Sequence, residues 1–325
     1  MKINLLDLFS GIGGFHLGLE RAGFKVNAFN SEIDKHAIDV YKNNFKNSTY
    51  VGSVTDVRGR DLPRIDAITF GSPCQDFSIA GKGKGMGGER SSLILEAIRI
   101  IEECRPRFFI WENVKGTFSS NSGEDFAAIL QAFANLGDYR IEWQLLNTKW
   151  FLPQNRERVY LVGYLRGKPG RDIYPIGEIS REAKGSKGYE GVASQGVGAY
   201  IAKRKLNQEE KDIIIKANTS KGYETLGEGD SLNYSQPNSK TRRGRVGKGE
   251  ANMLDTGVQQ AVYKDTIRRL TPIECERLQG FPDNWTKYGT KEEIRESQRY
   301  KMCGNAVTVD VVKAVGERLR YVLGR

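Results

Sequence analysis

The feature that most constrains the fold is a regular alternation of apolar runs and amphipathic segments in the first half of the chain. The predicted strands are Ile3–Phe9, Lys25–Asn30, Ile65–Phe70, Arg107–Trp111, Tyr139–Leu146 and Arg158–Leu165. The predicted helices are Phe15–Arg21, Asp34–Phe45, Leu93–Cys104 and Asp125–Leu136, and Asp34 is the predicted N-cap of the second. Strands separated by helices of this length predict an α/β fold with a parallel, doubly wound, Rossmann-like sheet.

The second half is organised differently. Residues 181–262 are polar, rich in glycine and weakly periodic, and we interpret them as a smaller, irregular second domain. A disordered insertion is the alternative. The segment contains one helix candidate, Gln208–Lys216. Order returns with a predicted capping box at Thr271–Glu274 and a final helix at Val307–Val322.

Composition limits the partners and the kinds of site. The 325 residues include 50 Lys and Arg against 40 Asp and Glu, and this excess suits a polyanion, although a soluble basic protein shares it. Four scattered cysteines and two histidines do not favour a zinc site, so we expect no metal and a reducing compartment. No apolar run reaches bilayer length, and we see no signal-peptide pattern.

Four polar motifs lie at or near the ends of predicted strands. They are Asp7–Phe15, Gly71–Ser78, Trp111–Val114 and Gln154–Tyr160. Each alone has an ordinary explanation as a turn, a cap or a charged loop. Because the carboxyl ends of parallel strands meet at one edge, the four motifs together present a glycine turn, a thiol, a carboxylate and guanidinium groups to the same ligand edge.

The thiol is Cys74. A cysteine is commonly a small buried hydrophobe, but the Gly-Ser-Pro sequence before Cys74 argues against burial in a regular element. A free thiol has a pKa of about 8.5, so the site must supply a base or positive potential to make it a nucleophile. Glu32, after the second strand, occupies a position where an acidic group can meet ribose hydroxyls.

In this order the motifs resemble the cytosine-5 DNA methyltransferase family. The resemblance extends to Arg269–Cys275, Gln279–Pro282 and Gly304–Val307, and it covers residues 1–165 and 266–325. It implies that Cys74 attacks carbon 6 of a flipped-out cytosine, that Glu112 holds N3, and that Arg158 contacts the base.

The resemblance also implies that S-adenosylmethionine is the cofactor. Its binding residues would be Phe9, Gly11, Ile12, Glu32 and Asn305. The partner would be double-stranded DNA, and the residues expected to contact it are Pro73, Gln75, Ser78, Arg156, Arg242, Arg243 and Arg245. The last three belong to a basic cluster that also contains Lys240 and Lys248.

For the organisation of the chain we expect a catalytic domain at 1–180 plus 305–325, a target-recognition domain at 181–262, and a hinge and return segment at 263–304. We further expect a monomer that needs no protein partner and no membrane. It would act in the cytoplasm, with the nucleoid, of a bacterial or phage-infected cell, in restriction-modification or phage self-protection.

Three positions depart from the family pattern. Ser53 stands where many relatives carry an acidic residue that reads the adenine amino group, and Ile33 stands where some stack an aromatic ring. Ala80 occupies a loop position that carries a polar side chain in some relatives. The glycine-rich segment Lys82–Glu89 that follows resembles a mobile loop closing on DNA, although a disordered surface loop has the same composition.

The alternatives are three. An RNA cytosine-5 methyltransferase would use the same chemistry. A DNA-binding relative without catalytic activity would not need Cys74, Glu112 and Arg158 intact. A nucleotide-dependent oxidoreductase would use the same glycine turn but would leave Cys74 and Glu112 unexplained.

Overall fold

The structure is a computed structural model that describes residues 1–72, 92–165, 172–177, 213–235, 245–264 and 266–324. Its α-helices are α1 (Gly14–Arg21), α2 (Lys35–Asn44), α3 (Ser92–Cys104), α4 (Glu124–Ala134), α5 (Pro272–Leu278), α6 (Glu296–Asn305) and α7 (Val309–Leu323). Its strands in the first half are β1 (Lys2–Leu8), β2 (Lys25–Ser31), β3 (Thr49–Tyr50), β4 (Ala67–Gly71), β5 (Phe108–Val114), β6 (Tyr139–Asn147), β7 (Gln154–Asn155) and β8 (Glu157–Leu165). The remaining strands are β9 (Ile213–Lys216), β10 (Tyr223–Leu226), β11 (Ser231–Asn233), β12 (Val246–Gly247), β13 (Ala251–Asn252), β14 (Gln260–Lys264) and β15 (Thr266–Arg269).

A seven-stranded sheet organises the first half, in the order β3-β2-β1-β4-β5-β8-β6. The pairs from β3 through β5 are parallel, which confirms the predicted α/β class. β8 runs antiparallel to both β5 and β6, so the expectation of a wholly parallel sheet is wrong there. The connection from β6 to β8 is too short for a helical crossover, and a short connection joins strands in antiparallel order.

Helices cover both faces of this sheet. Because successive side chains of a strand point to opposite faces, Leu6 and Leu8 pack toward α3 and α4 while Leu5 packs toward α1 and α7. The first core includes Ile68, Phe70, Ile94, Ala97, Ile101, Phe109, Trp111, Ile129 and Phe133. The second includes Phe15, Leu19, Phe108, Val311, Val312, Val315 and Leu319. The last helix of the chain therefore packs back against the first.

Both predicted helix caps are confirmed. The Asp34 side chain accepts hydrogen bonds from the backbone N–H groups of His36 and Ala37 at the start of α2. Thr271 and Glu274 form the reciprocal capping box of α5, with a proline in its first turn. These side chains satisfy backbone donors that have no partner inside the helix.

The middle of the chain is built from short strands. The predicted helix Gln208–Lys216 is wrong over its described part, since Ile213–Lys216 forms β9 and pairs antiparallel with β10. A run of three β-branched isoleucines favours a strand, and Ile215 is buried against Leu226 and Leu232. A second sheet has the order β12-β11-β14-β15, and the domain boundary expected at residue 262 lies inside β14.

A two-stranded parallel pairing connects the two halves. Residues Ala251 and Asn252 of β13 lie beside Gln154 and Asn155 of β7. The backbone N–H of Ala251 also donates to the carbonyl of Pro153 at 2.8 Å. In the described ranges, no helix combines the length and the apolar character needed to cross a bilayer.

The contact between α1 and α7 makes a testable prediction. A Cβ added at Gly18 would lie 2.5 Å from Cβ of Val312 and 3.0 Å from the carbonyl oxygen of Val309. Gly18→Ala should therefore separate the two helices and lower the free energy of unfolding by about 1–3 kcal/mol. Urea unfolding measures this change. Gly177→Ala, where a Cβ meets nothing within 4 Å, is the control; equal stability of the two variants would contradict the prediction.

Candidate active site

The glycine turn after β1 has a backbone that leaves room for a ligand. Phe9, Gly11 and Gly13 all have positive φ angles, of 52°, 51° and 84°. A Cβ at Gly11 would meet nothing within 4 Å, whereas one at Gly13 would collide with the ring of Phe45. Gly11 therefore lines open space, while Gly13 is required by close packing inside the protein.

Glu32 holds this turn against the end of β2. Its Oε2 accepts from the Gly11 N–H at 2.8 Å, and its Oε1 accepts from Ile33 and Asp34 at 2.8 and 2.9 Å. A carboxylate offers about four acceptor positions, so capacity for a further hydroxyl donor remains. The side chain of Ile33 is 79% exposed, an apolar surface directly beside the carboxylate.

The neighbouring loop after β3 has no acidic side chain at the position of Ser53. The hydroxyl of Ser53 lies 3.0 Å from that of Thr55, and Asp56 is exposed. Ser31 donates to the carbonyl of Gly52 at 2.9 Å, which joins this loop to β2. The loop therefore lies beside the Glu32 turn.

The carboxylate of Glu112 and the guanidinium of Arg158 form a buried ion pair. Nε of Arg158 lies 3.2 Å from Oε1 of Glu112, and the two residues are 9% and 8% exposed. The antiparallel pairing of β5 with β8 sets Arg158 opposite Val114, close to the carboxyl end of β5. Oε1 of Glu112 makes no hydrogen bond within the described residues, so it remains an acceptor for a ligand.

The chain that leads into the Cys74 motif is anchored to the same strand. Nε1 of Trp111 donates to the Ser72 hydroxyl at 3.0 Å, and Nδ2 of Asn113 donates to the carbonyl and the hydroxyl of Ser72 at 3.1 and 3.2 Å. Gly71 permits a close approach, because a Cβ there would lie 3.2 Å from Oε2 of Glu112. The end of β4 is thus held beside the buried carboxylate.

Arg156 does not face solvent. It is 3% exposed, and its guanidinium donates to the carbonyl oxygens of Ala306 at 2.9 Å and of Leu254 and Gly304 at 3.4 Å. Burial lowers the pKa of Arg156 to about 10. The side chain expected to contact the substrate instead ties its own segment to residue 254 and to residues 304–306. Asn305, expected at the cofactor, is exposed between two of those carbonyl groups.

Arg245 is also buried, with 8% of its surface exposed. Its guanidinium donates to the carbonyls of Lys216 and Asn233, at 2.7 and 3.3 Å. This geometry ties the start of β12 to β9 and β11, and it buries the side chain that was expected to contact DNA. The other expected residues Pro73, Cys74, Gln75, Ser78, Arg242 and Arg243 lie outside the described residues, as do Ala80 and Lys82–Glu89.

The three described cysteines are poor nucleophiles. Burial raises the pKa of Cys104 to about 11, and it also raises the pKa values of Cys275 and Cys303 well above that of a free thiol. Within the described part of the chain, no group of three histidine, cysteine or acidic side chains could hold a metal ion. If the chain uses a thiolate, Cys74 is therefore the candidate.

Sequence reasoning missed three residues near the ion pair. Ser72 and Asn113 stand inside motifs that were recognised, so their polar side chains beside Cys74 and Glu112 were the available signal. The sequence around Met253 gives no such indication, because this residue lies in the polar middle segment, far from the recognised motifs. Only the tertiary structure brings its sulfur to 3.1 Å from Nη1 of Arg158.

Comparisons with known proteins identify the family. The family model described as C-5 cytosine-specific DNA methylase matches residues 3–320. The type II methyltransferase M.HaeII of Haemophilus aegyptius is 36% identical over 95% of this chain and 90% of that protein. The type II methyltransferase M1.ScrFI of Lactococcus lactis subsp. cremoris is 34% identical over 99% of this chain and 79% of that protein.

Two solved structures share the fold. A putative DNA modification methyltransferase encoded within an E. coli prophage has a TM-score of 0.65 at 22% identity, covering 99% of this chain and 100% of that one. The Dnmt2 methyltransferase of S. pombe has a TM-score of 0.65 at 19% identity, with 99% and 100% covered. With a family match along nearly its whole length, this chain belongs to the C-5 cytosine-specific DNA methylase family.

Proposed function

We propose that this protein transfers a methyl group from S-adenosylmethionine to carbon 5 of a cytosine within a short specific sequence of duplex DNA. The observation that carries the proposal is the buried Glu112–Arg158 pair, held beside the strand end that leads into Pro73-Cys74-Gln75. The relatives are named type II methyltransferases, which supports a role in restriction-modification or phage self-protection.

The chemistry starts at carbon 6 of the cytosine ring. The thiolate of Cys74 forms a bond to carbon 6 while Glu112 protonates or hydrogen-bonds N3, so the electron pair of the 5,6 double bond makes carbon 5 nucleophilic. S-adenosylmethionine, when bound, supplies the methyl group from its sulfonium. Loss of the proton on carbon 5 then restores the double bond and expels the Cys74 thiolate.

The ion pair explains how a buried carboxylate can serve the ring. An isolated carboxylate in a buried position is costly, and the permanent charge of Arg158 offsets that cost and orients Oε1. Carbon 6 is shielded in stacked DNA, so the cytosine must leave the helix to reach Glu112. Arg158, paired with Glu112 in the same site, would also contact the extruded base.

The residues at the glycine turn fit the cofactor. Gly11 lines open space, Glu32 retains an acceptor position for a ribose hydroxyl, and exposed Ile33 offers an apolar surface to the adenine ring. Phe9 would flank the ligand on the turn, and Asn305 is exposed before α7. Ile12 is 1% exposed and packs with Ala37 and Val40, so it would support the turn from inside. In the loop after β3, Ser53 offers a hydroxyl in place of the carboxylate that many relatives carry.

For DNA recognition we propose a catalytic domain at 1–180 plus 305–325, a recognition domain at 181–262 and a hinge and return segment at 263–304. Arg242 and Arg243 would contact backbone phosphates, and Pro73, Gln75 and Ser78 would contact the target nucleotide. Arg156 and Arg245 would support these surfaces from inside, through the carbonyls they bind. The proposal includes a monomer acting on cytoplasmic DNA without an obligatory protein partner.

Replacing the proposed nucleophile tests the covalent step. Cys74→Ser should abolish methylation, because a hydroxyl is a far poorer nucleophile than a thiolate at neutral pH, while DNA binding persists. Bisulfite sequencing of DNA from expressing cells reveals the modified sequence and its loss, and gel shift measures binding. Cys104→Ser is the control, since burial raises the pKa of that thiol. Normal methylation by Cys74→Ser would contradict the proposal.

Replacing the carboxylate tests its assigned role at N3. Glu112→Gln keeps the shape of the side chain but removes its charge and its acid, so single-turnover methylation should slow by roughly 100-fold or more. Glu124→Gln, at an exposed carboxylate, is the control and should leave the rate unchanged. Equal rates for Glu112→Gln and wild type would contradict the role of Glu112 at N3.

A further inference from the structure

Met253 contacts the Glu112–Arg158 pair, called the catalytic pair below, although it belongs to the middle segment of the chain. Its Sδ accepts a hydrogen bond from Nη1 of Arg158 at 3.1 Å. The same Nη1 donates to the carbonyl of Glu157 at 2.8 Å, and Nε of Arg158 faces Glu112. Met253 is 42% exposed, so burial of the side chain as a whole does not account for its position.

The backbone around Met253 is held from two directions. The carbonyl of Met253 accepts from Nε2 of Gln260 at 2.8 Å, and the N–H of Leu254 donates to Oε1 of Gln154 at 3.1 Å. Gln154 is fully buried and also donates to the carbonyl of Leu278 at 2.8 Å. With its main chain fixed in this way, Met253 directs its side chain toward β8.

The contacts form a continuous line from the middle segment to the catalytic pair. Gln154, Arg156 and Arg158 alternate along the segment that carries the arginine of the pair, and each contacts Met253 or Leu254. The pairing of β7 with β13 adds main-chain contacts beside them. A shift of residues 251–254 would therefore reach the guanidinium of Arg158 directly.

We infer that Met253 is a positioning residue that fixes the guanidinium of Arg158 toward Glu112 and so links the recognition segment to methyl transfer. The guanidinium is planar and rigid, so an acceptor that holds Nη1 also sets the direction of Nε. Thioether sulfur is a weak acceptor, and its contribution is orientation rather than charge. The inference rests on the proposed roles of Arg158 and Glu112.

Two substitutions separate the acceptor from the bulk of the side chain. Met253→Leu keeps an apolar side chain of similar size but removes the acceptor, and it should lower kcat about threefold to tenfold with KM for DNA unchanged. Met253→Gln supplies an amide oxygen at a similar reach, and its kcat should stay within about twofold of wild type. A packing role alone would give the opposite order, with leucine tolerated and glutamine harmful.

A double-mutant cycle tests whether the effect passes through Arg158. Arg158→Lys alone should lower kcat, and adding Met253→Leu should lower it no further, because residues in one network are not additive. Leu95→Gln, at a side chain of similar exposure on α3, is the control for placing glutamine at an exposed apolar position and should match wild type. Urea unfolding checks that all variants fold equally.

The outcomes distinguish this inference from the proposed function. If Arg158→Lys lowers kcat but Met253→Leu does not, or if Met253→Gln is as slow as Met253→Leu, the inference about Met253 is wrong and the role of Arg158 stands. Independent, additive losses in the cycle would also overturn the inference. If Arg158→Lys leaves kcat unchanged, the assigned role of Arg158 is wrong, and the inference falls with it.

Discussion

The ion pair between Glu112 and Arg158 is the interaction on which the site depends. Removing two charges from water costs more than their attraction returns unless both are held in good geometry. Here the antiparallel pairing of β5 with β8 supplies that geometry, because it sets Arg158 opposite Val114, two residues along β5 from Glu112, and within 3.2 Å of its carboxylate. The sheet's one reversed strand thus positions the proposed chemistry.

Around this pair, main-chain groups are joined by buried polar side chains. The guanidinium of Arg156 donates hydrogen bonds to the carbonyls of residues 254, 304 and 306. The side chain of Gln154 connects residue 254 to the end of α5. Gly304 is required in this arrangement, because a Cβ there would collide with the backbone of Asp255. The middle segment, the return segment and the strand carrying Arg158 therefore pack together. Because the packing is close, a displacement of one segment displaces the others.

Features of the fold that depend on local sequence patterns could be predicted, whereas those that depend on long-range contacts could not. Alternating apolar runs and helix caps such as Asp34 and Thr271 are local, and local patterns predicted most elements of the first half with small shifts at their ends. The prediction at Gln208–Lys216 failed over its described part, where β9 gains its partners from β10. The charge of Arg156 and Arg245 suggested DNA contact, but both side chains are buried. Whether an arginine is buried cannot be predicted from the residue type alone.

The sequence by itself determined the α/β class, the motifs that identify the family, and the residue types needed for the proposed thiolate attack on cytosine. These depend on local periodicity and on chemistry carried by single side chains. Tertiary structure decided the reversal of β8, the burial of Arg156, and the meeting of Met253 with Arg158. Those features depend on contacts between residues far apart in the chain, and such contacts exist only once the strands have paired and packed.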